Sequence, residues 1–296
     1  MRPRRSRYRP GAAPDYGHRF HAGNVGDVWK HCVLVEVLGR ARAAGGAVAY
    51  VETHAGEGEY PLQPTGEWTE GIGRLWNEVA PGDADPVARY VAISRRLASG
   101  ADRPASYPGS PALARAVLGA DATLALWERD AAAYGRLAAH VGAEPRTSLH
   151  RDDGLAALAG AVRDAEAATD VVVVLIDPSY AQKSDWRDVP DALIAAARDS
   201  ARASIVLWYP VKSLTRPNAM IARLRAAGVD AALAELVTTP LEHQRRRLNG
   251  SGVLLVRPPE GALAALGGAA ARLGPRCATQ PGTWSYRMQA WSAIRS

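Results

Sequence analysis

Four consecutive residues, Asp177-Pro178-Ser179-Tyr180, set a carboxylate, a carbonyl on a rigid ring and an aromatic face directly behind the apolar run VVVVLI at 171–176. Asp, Pro and Ser are ordinary turn residues, and a plain turn accounts for them. A buried parallel strand that ends in such a tip is also where an open α/β sheet binds its ligand. The chemistry suited to the tip is methylation of an exocyclic base amine. On N6 of adenine the lone pair is delocalised into the ring, so the amine is a poor nucleophile. Asp177 and the Pro178 carbonyl can accept its two hydrogens and return electron density to nitrogen. Tyr180 offers a face on which a base taken out of its stack can rest.

A second cluster lies in ETHAGEG at 52–58, where Gly56 and Gly58 allow a tight turn and a close approach of backbone to ligand. A lone pair of glycines is weak on its own and is satisfied by a simple turn. Its surroundings add to it. Glu128 ends a second strand, where an acid accepts hydrogen bonds from ribose hydroxyls; it lies well beyond the usual spacing of about 20 residues, and an insertion between the strands accounts for the excess. Asp152-Asp153-Gly154 ends a third strand, where an acid can meet an adenine amino group. Three acid-tipped strands around one glycine loop describe an adenosine pocket.

The elements that would position these groups follow from periodicity. Asn24 reads as a helix N-cap with Asp27 three residues on, resembling a capping box, and Val28, Cys32, Val35 and Leu38 follow at helical spacing until Gly45-Gly46. Strands are expected at 47–52, 123–128, 147–150, 171–176 and 204–210, with Ala-rich helices between them. Residues 59–109 interrupt the alternation. Trp68, Ile72, Leu75, Trp76 and Val79 mark one amphipathic helix; Asp85-Pro86 starts another, carrying Val87, Tyr90, Ser94 and Leu97. Ser110-Pro111 opens a further helix as cap and first residue. Strands at 232–239 and 252–258 are too close for a crossover helix and are expected to pair antiparallel at the sheet edge, with another strand at 283–289. The fold class is α/β: a doubly wound, mostly parallel sheet with an antiparallel edge strand and an inserted small helical subdomain at about 59–109.

The chain has 296 residues, 47% hydrophobic and 22% charged, which is an ordinary globular composition. No apolar run approaches the roughly 18 residues of a membrane span. Arginines at 2, 4, 5, 7 and 9 crowd the N-terminus with no apolar run after them, so no secretory signal is expected and the setting is cytoplasmic. Residues 1–15 read as a disordered basic arm. Cys32 and Cys277 make neither a disulfide framework nor a metal spacing, and His18 and His21 lack further ligands, so no metal is expected. The net charge of +6 favours a polyanionic partner, and Arg245, Arg246 and Arg247 form a second basic cluster. A monomer is the default.

The chain resembles the RlmJ family of 23S rRNA adenine-N6 methyltransferases. The resemblance rests on YGHRFHAGNVGDVWKH (16–31), THAGEGEY (53–60), TGEWTEGIGRLW (65–76), YPGSP (107–111), DPSYAQKSDW (177–186), LWYPV (207–211) and GSGVLLVRPP (250–259), in order along nearly the whole chain from Tyr16. It implies a Rossmann-like class I fold over 16–296 with S-adenosylmethionine as cofactor and 23S rRNA as partner. Carried over residue by residue, it implies cofactor contacts from His31, His54, Ser110, Glu128, Asp153 and Gly154, with Gly56 in the loop and Lys30 beside the cofactor. Asp177 becomes the catalytic acceptor, with Pro178 and Tyr180 beside it, and Tyr16 meets the RNA. Three departures stand out. Ser179 replaces the second proline of D-P-P-Y, Glu52 stands where the family has Asp, and a basic stretch precedes the family's usual start.

Two rival readings remain open. One keeps the chemistry and changes the substrate to DNA or another RNA, since D-P-P-Y-like tips are shared among such enzymes. The other is a nucleic-acid-binding protein that has lost catalysis, which Ser179 and the basic clusters would suit. A dinucleotide-dependent oxidoreductase is disfavoured, because nothing in that chemistry needs an Asp-Pro-x-Tyr tip.

Overall fold

The computed structural model describes residues 20–78, 85–98, 100, 102–243 and 248–292. Its first long element is α1 (Val25–Ala43), opened by Asn24, whose side chain accepts the Asp27 N–H. Asp27 sits where a capping box needs an acid. Its short side chain bonds the N–H of Gly23, at 2.9 Å, and not that of the cap residue. Gly45 and Gly46, at φ 83° and 85°, turn the chain out of the helix and into β1 (Val48–Glu52).

Within residues 59–109 the helix opened by Asp85-Pro86 forms as expected, and the stretch before it departs from the sequence expectation. Trp68, Ile72, Leu75 and Trp76 are buried, as their spacing predicts, but the segment is not an α-helix. It forms two 3₁₀ turns, Glu67–Thr69 and Ile72–Arg74. Between them Gly71 lies so close to the entrance of α1 that a Cβ would stand 2.1 Å from the Gly23 carbonyl oxygen. That oxygen accepts the Ile72 N–H at 3.0 Å, so a tertiary contact takes the backbone bond that a helix would use. Val79 lies outside the described residues. A small ribbon that periodicity did not announce, β2 (Glu59–Pro61) against β3 (Ser106–Pro108), flanks α2 (Pro86–Leu97), which Asp85 caps.

The remaining elements alternate: α3 (Ser110–Leu118), β4 (Thr123–Trp127), α4 (Ala131–Val141), β5 (Thr147–His150), α5 (Gly154–Ala168) and β6 (Val171–Ile176). After them come α6 (Asp185–Asp199), β7 (Ser204–Val211), α7 (Thr215–Ala226), β8 (Ala231–Val237), β9 (Gly250–Val256), α8 (Ala262–Cys277) and β10 (Ser285–Trp291). Eight strands form one sheet in the order β10-β8-β9-β7-β6-β1-β4-β5. From β7 to β5 all neighbours are parallel. In β6, Val172, Val174 and Ile176 pack on the side of α5, α6 and α7, while Val173 and Leu175 join the core under α1, α2, α3 and α8. Burial on both faces explains why its sequence is apolar without alternation.

The antiparallel part is larger than one edge strand. β9 inserts between β7 and β8, antiparallel to both, and β10 pairs antiparallel with β8 as the outer strand. The pair expected at the edge therefore lies inside the sheet. All seven residues of β9 are buried, so its backbone groups need a ladder on each side. The other consequence of the topology is functional. From β1 the chain moves outward to β4 and β5, then crosses to β6 and β7 on the opposite side. At such a switch point neighbouring loops part and leave a crevice at the carboxyl ends of the strands. Thr53 N–H donates to Leu175 O at 3.1 Å and Ala55 N–H to Trp127 O at 2.8 Å, tying the loop after β1 to both neighbours.

Candidate active site

Lys30, on α1, is 7% exposed and reaches the tip of β6. Its Nζ lies 2.6 Å from Asp177 Oδ2 and 2.9 Å from Asp27 Oδ1. A buried ammonium must be paired, and here two carboxylates share the task. Burial by itself would lower the Lys30 pKa; Asp177 and then Asp27 outweigh it and hold the ammonium above its ordinary range. Burial pushes the Asp177 carboxyl upward, and Lys30 opposes that push. On Asp27 burial also acts upward, but Lys30 prevails and the carboxyl is held below its usual value. The tip of β6 thus carries a carboxyl group paired with a buried cation.

Beyond Asp177, Pro178 is buried and Ser179 is exposed. The Ser179 hydroxyl accepts the Ala181 N–H at 3.4 Å, a local bond within the turn. Tyr180 takes the left-handed backbone region at φ 52°, a conformation that a bulky residue holds only when its surroundings enforce it. They do so through its ring, which lies 4.4 Å from Trp186 and 6.2 Å from Trp208, with its hydroxyl 3.9 Å from Met220 Sδ. At 9% exposure that ring does not present the open stacking face expected of it. Trp186 covers it. Trp208 is half-buried, follows the register Ile176↔Leu207 and so stands beside Asp177, with Lys30 Nζ 5.7 Å from its ring.

The glycine loop is braced by the acids around it. Gly56 takes φ 64° and donates its N–H to Glu128 Oε2 at 3.0 Å, while Glu128 Oε1 accepts the Asp130 N–H at 2.7 Å. Asp153 caps α5 by accepting the N–H groups of Leu155 and Ala156. A Cβ on Gly154 would stand 2.2 Å from the Thr53 carbonyl oxygen, so a side chain there would keep α5 off this loop. His54 Nδ1 lies 2.8 Å from Thr53 Oγ1, and burial depresses the imidazole to about 4. Glu52 is fully buried and accepts bonds from Ser110 Oγ at 2.5 Å and Tyr50 Oη at 2.9 Å. Burial drives its carboxyl up to about 8, against the Ser110 bond and with help from the charge on Asp177. Ser110 is accordingly not the cap of α3. Gly109 holds that position, and the serine hydroxyl is spent on Glu52.

His31 is 2% exposed. Its Nδ1 lies 2.7 Å from Tyr107 Oη, and that oxygen lies 2.8 Å from Tyr90 Oη. Burial depresses the imidazole to about 3, with the neighbouring Lys30 adding to the shift. Nε2 is buried and has no hydrogen-bond partner among the described residues. An orphaned buried nitrogen costs free energy unless a ligand meets it. With the glycine loop and the acceptor carboxylates of Glu128 and Asp153, it makes a set of hydrogen-bonding groups that fits a nucleoside cofactor bearing a charged amino-acid end.

Lys30, His31, His54, Gly56, Ser110, Glu128, Asp153, Gly154 and Asp177 gather around the switch point or on α1 above it. Tyr16, Arg245, Arg246 and Arg247 lie outside the described residues. Sequence reasoning missed the part of Asp27 in the Lys30 pair, of Tyr107 behind His31, and of Trp186 and Trp208 around Tyr180. All four stand within singled-out stretches, yet only contacts across the fold give them these tasks. His21 Nδ1 pairs with Glu67 at 2.9 Å. Among the described residues no three His, Cys, Asp or Glu side chains converge as a metal site, and no helix is long and apolar enough to cross a membrane.

The family model described as Ribosomal RNA large subunit methyltransferase D, RlmJ, matches residues 45–288. Proteins named Ribosomal RNA large subunit methyltransferase J from Haemophilus influenzae and Escherichia coli are each 32% identical over 251 residues, covering 82% of this chain and 87% of theirs. A crystal structure of a Legionella pneumophila protein superposes with a TM-score of 0.82 at 26% identity, covering 91% of this chain and 98% of that one. The motif at 16–31 precedes the stretch that the family model matches.

Proposed function

The chain belongs to the RlmJ family of ribosomal RNA large subunit methyltransferases, and from that premise we propose that it methylates N6 of an adenine in 23S rRNA. It is an rRNA methyltransferase that uses S-adenosylmethionine. The observation that carries the choice of amine is the carboxylate of Asp177 at the tip of β6, held 2.6 Å from Lys30 Nζ and followed by the Pro178 carbonyl.

Bound in the crevice, S-adenosylmethionine supplies an electrophilic methyl group on sulfur. The chain's own groups prepare the amine. Asp177 and the Pro178 carbonyl accept the two N6 hydrogens and concentrate the lone pair on nitrogen. Asp177 takes the proton that nitrogen must lose, and Lys30, paired with it, favours its charged form. Ser179 leaves the Pro178 carbonyl in place, so the reaction type survives the missing second proline. Glu128 receives the ribose hydroxyls, and because its carboxylate already braces Gly56 N–H, the loop is set before the nucleoside arrives. Asp153, Gly154, His54, Ser110 and His31 complete the pocket. On the substrate side, the connection from β8 to β9 leaves the sheet at its carboxyl-end edge, because β8 runs in the direction of β7. Arg245, Arg246 and Arg247 are the phosphate contacts of this reading, from their basic sequence alone, with Tyr16 at the base.

The test is methyl transfer from labelled cofactor to 23S rRNA lacking its native methylation, followed by mapping. N6-methyladenine at one position is the expected product. Label on another atom, or equal labelling of duplex DNA, overturns the proposal.

A further inference from the structure

The chain His31–Tyr107–Tyr90 runs from α1 through β3 to α2, entirely buried, and ends at an orphaned imidazole nitrogen. A neutral imidazole carries one donor and one acceptor, and the bond at one nitrogen decides the character of the other. His31 remains neutral at working pH because burial depresses it to about 3. The unpartnered Nε2 is therefore either an N–H donor or a bare acceptor, and Tyr107 makes the choice.

The chemistry of the two atoms favours one direction. A ring nitrogen is a far stronger hydrogen-bond acceptor than a phenol oxygen, and a phenol O–H is a stronger donor than an imidazole N–H. The separation of 2.7 Å is at the short end for a bond donated by N–H and is common for one donated by O–H. Tyr107 Oη can also accept from Tyr90, which leaves its own proton free for His31 Nδ1. The near-parallel stack of the two rings, 20° between planes and 5.5 Å between centroids, keeps Nδ1 in reach of the hydroxyl.

We infer that Tyr107 is a positioning residue: it locks His31 in the Nε2–H tautomer, so that the buried nitrogen presents a single neutral donor to the carboxylate of the cofactor's methionine end. The inference rests on the S-adenosylmethionine reading above and deepens it. A neutral N–H suits the place, because Lys30 next to His31 is already committed to Asp27 and Asp177. Tyr107 touches neither cofactor nor substrate in this scheme and acts only through the imidazole.

The experiment combines nitrogen-15 NMR of the ligand-free protein with calorimetry on two sulfur nucleosides. S-adenosylhomocysteine carries the amino-acid carboxylate; 5′-methylthioadenosine lacks it. In the unaltered chain the His31 shifts should report the Nε2–H tautomer. Tyr107→Phe should mix the tautomers and weaken S-adenosylhomocysteine by about 5–10-fold, the order of one ordinary net hydrogen bond, while 5′-methylthioadenosine binds as before. Tyr90→Phe removes an equally buried hydroxyl but leaves the Tyr107 hydroxyl donating to His31 Nδ1, so it should preserve tautomer and affinity. An Nδ1–H tautomer in the unaltered chain overturns the inference. So do parallel losses for both ligands, or equal losses in the two variants, because those are the marks of a merely structural hydroxyl. Failure of the unaltered chain to bind either nucleoside would overturn the cofactor reading itself, and it would do so whatever the tautomer.

Discussion

Replacing Lys30 by Met keeps the length and apolar body of the side chain and deletes the charge that joins α1 to the tip of β6. Two carboxylates then lose their partner, Asp177 with a side chain 15% exposed and Asp27 with one 23% exposed. Removing one member of a buried ion pair costs about 3–5 kcal/mol, because the other charge stays behind unpaired. Asp27 retains some solvent and the bond it accepts from the Gly23 N–H, which places the cost near the lower end, about 3 kcal/mol. For a domain of this size that corresponds to roughly 6–12 °C in Tm. The sign with pH is also set. Asp177, already raised by burial, loses the opposing influence of Lys30 and rises further. A carboxyl raised in the folded state is most stable when protonated, so the deficit of Lys30→Met should shrink as pH falls toward the unfolded value of about 4. Circular-dichroism melts and urea titrations across pH 4–8 measure both effects. Adding Asp177→Asn to Lys30→Met should recover part of the loss, with a coupling of about 0.5–3 kcal/mol. A single variant that melts with the parent chain, or a strictly additive cycle, would refute the reasoning.

Three further outcomes follow from the same geometry. Glu128→Ala removes the ribose acceptor together with the Gly56 brace, and calorimetry with S-adenosylhomocysteine should show a loss of about 1.5–3 kcal/mol; unchanged affinity would move the pocket elsewhere. Burial holds His54 at about 4 and His31 at about 3, so stability that is full above the unfolded value should be lost as pH falls below about 6.5. That loss is roughly 2 kcal/mol per histidine at pH 5, and a urea series in which His54→Asn fails to flatten it counts against the assignment. Glu52 has the opposite sign: with its folded value at about 8, its contribution is full below the unfolded carboxyl value and is lost as pH rises through about 8. Glu52→Gln keeps both bonding partners in reach and should flatten the alkaline side of a pH 5–9 stability profile, which would be steep in both chains if another group were responsible.

Several elements of the structure can be read from neighbouring residues alone. The apolar run at 171–176 becomes β6 because nothing polar interrupts it, and Asn24 caps α1 because Asp27 N–H is within its reach. The strand–helix alternation and the acid-tipped strands around one glycine loop follow likewise, since periodicity and turn chemistry act over a few residues. The family motifs are just as local. What the sequence did not contain is which distant groups would meet. Trp68 to Trp76 bear a helical stripe, and a contact with Gly23 makes them 3₁₀ turns. Ser110 has the chemistry of a cap, and the carboxylate of Glu52, 58 residues away, claims it. β9 looks like half of an edge hairpin, yet β7 takes its free side and β10 becomes the edge. Lys30 and Asp177 are 147 residues apart, and His31 and Tyr107 are 76. Local pattern determines an element because its hydrogen bonds close within a turn or a strand. Pairing across the sheet is decided by which polar groups would otherwise be buried alone, and that competition exists only once the chain has folded.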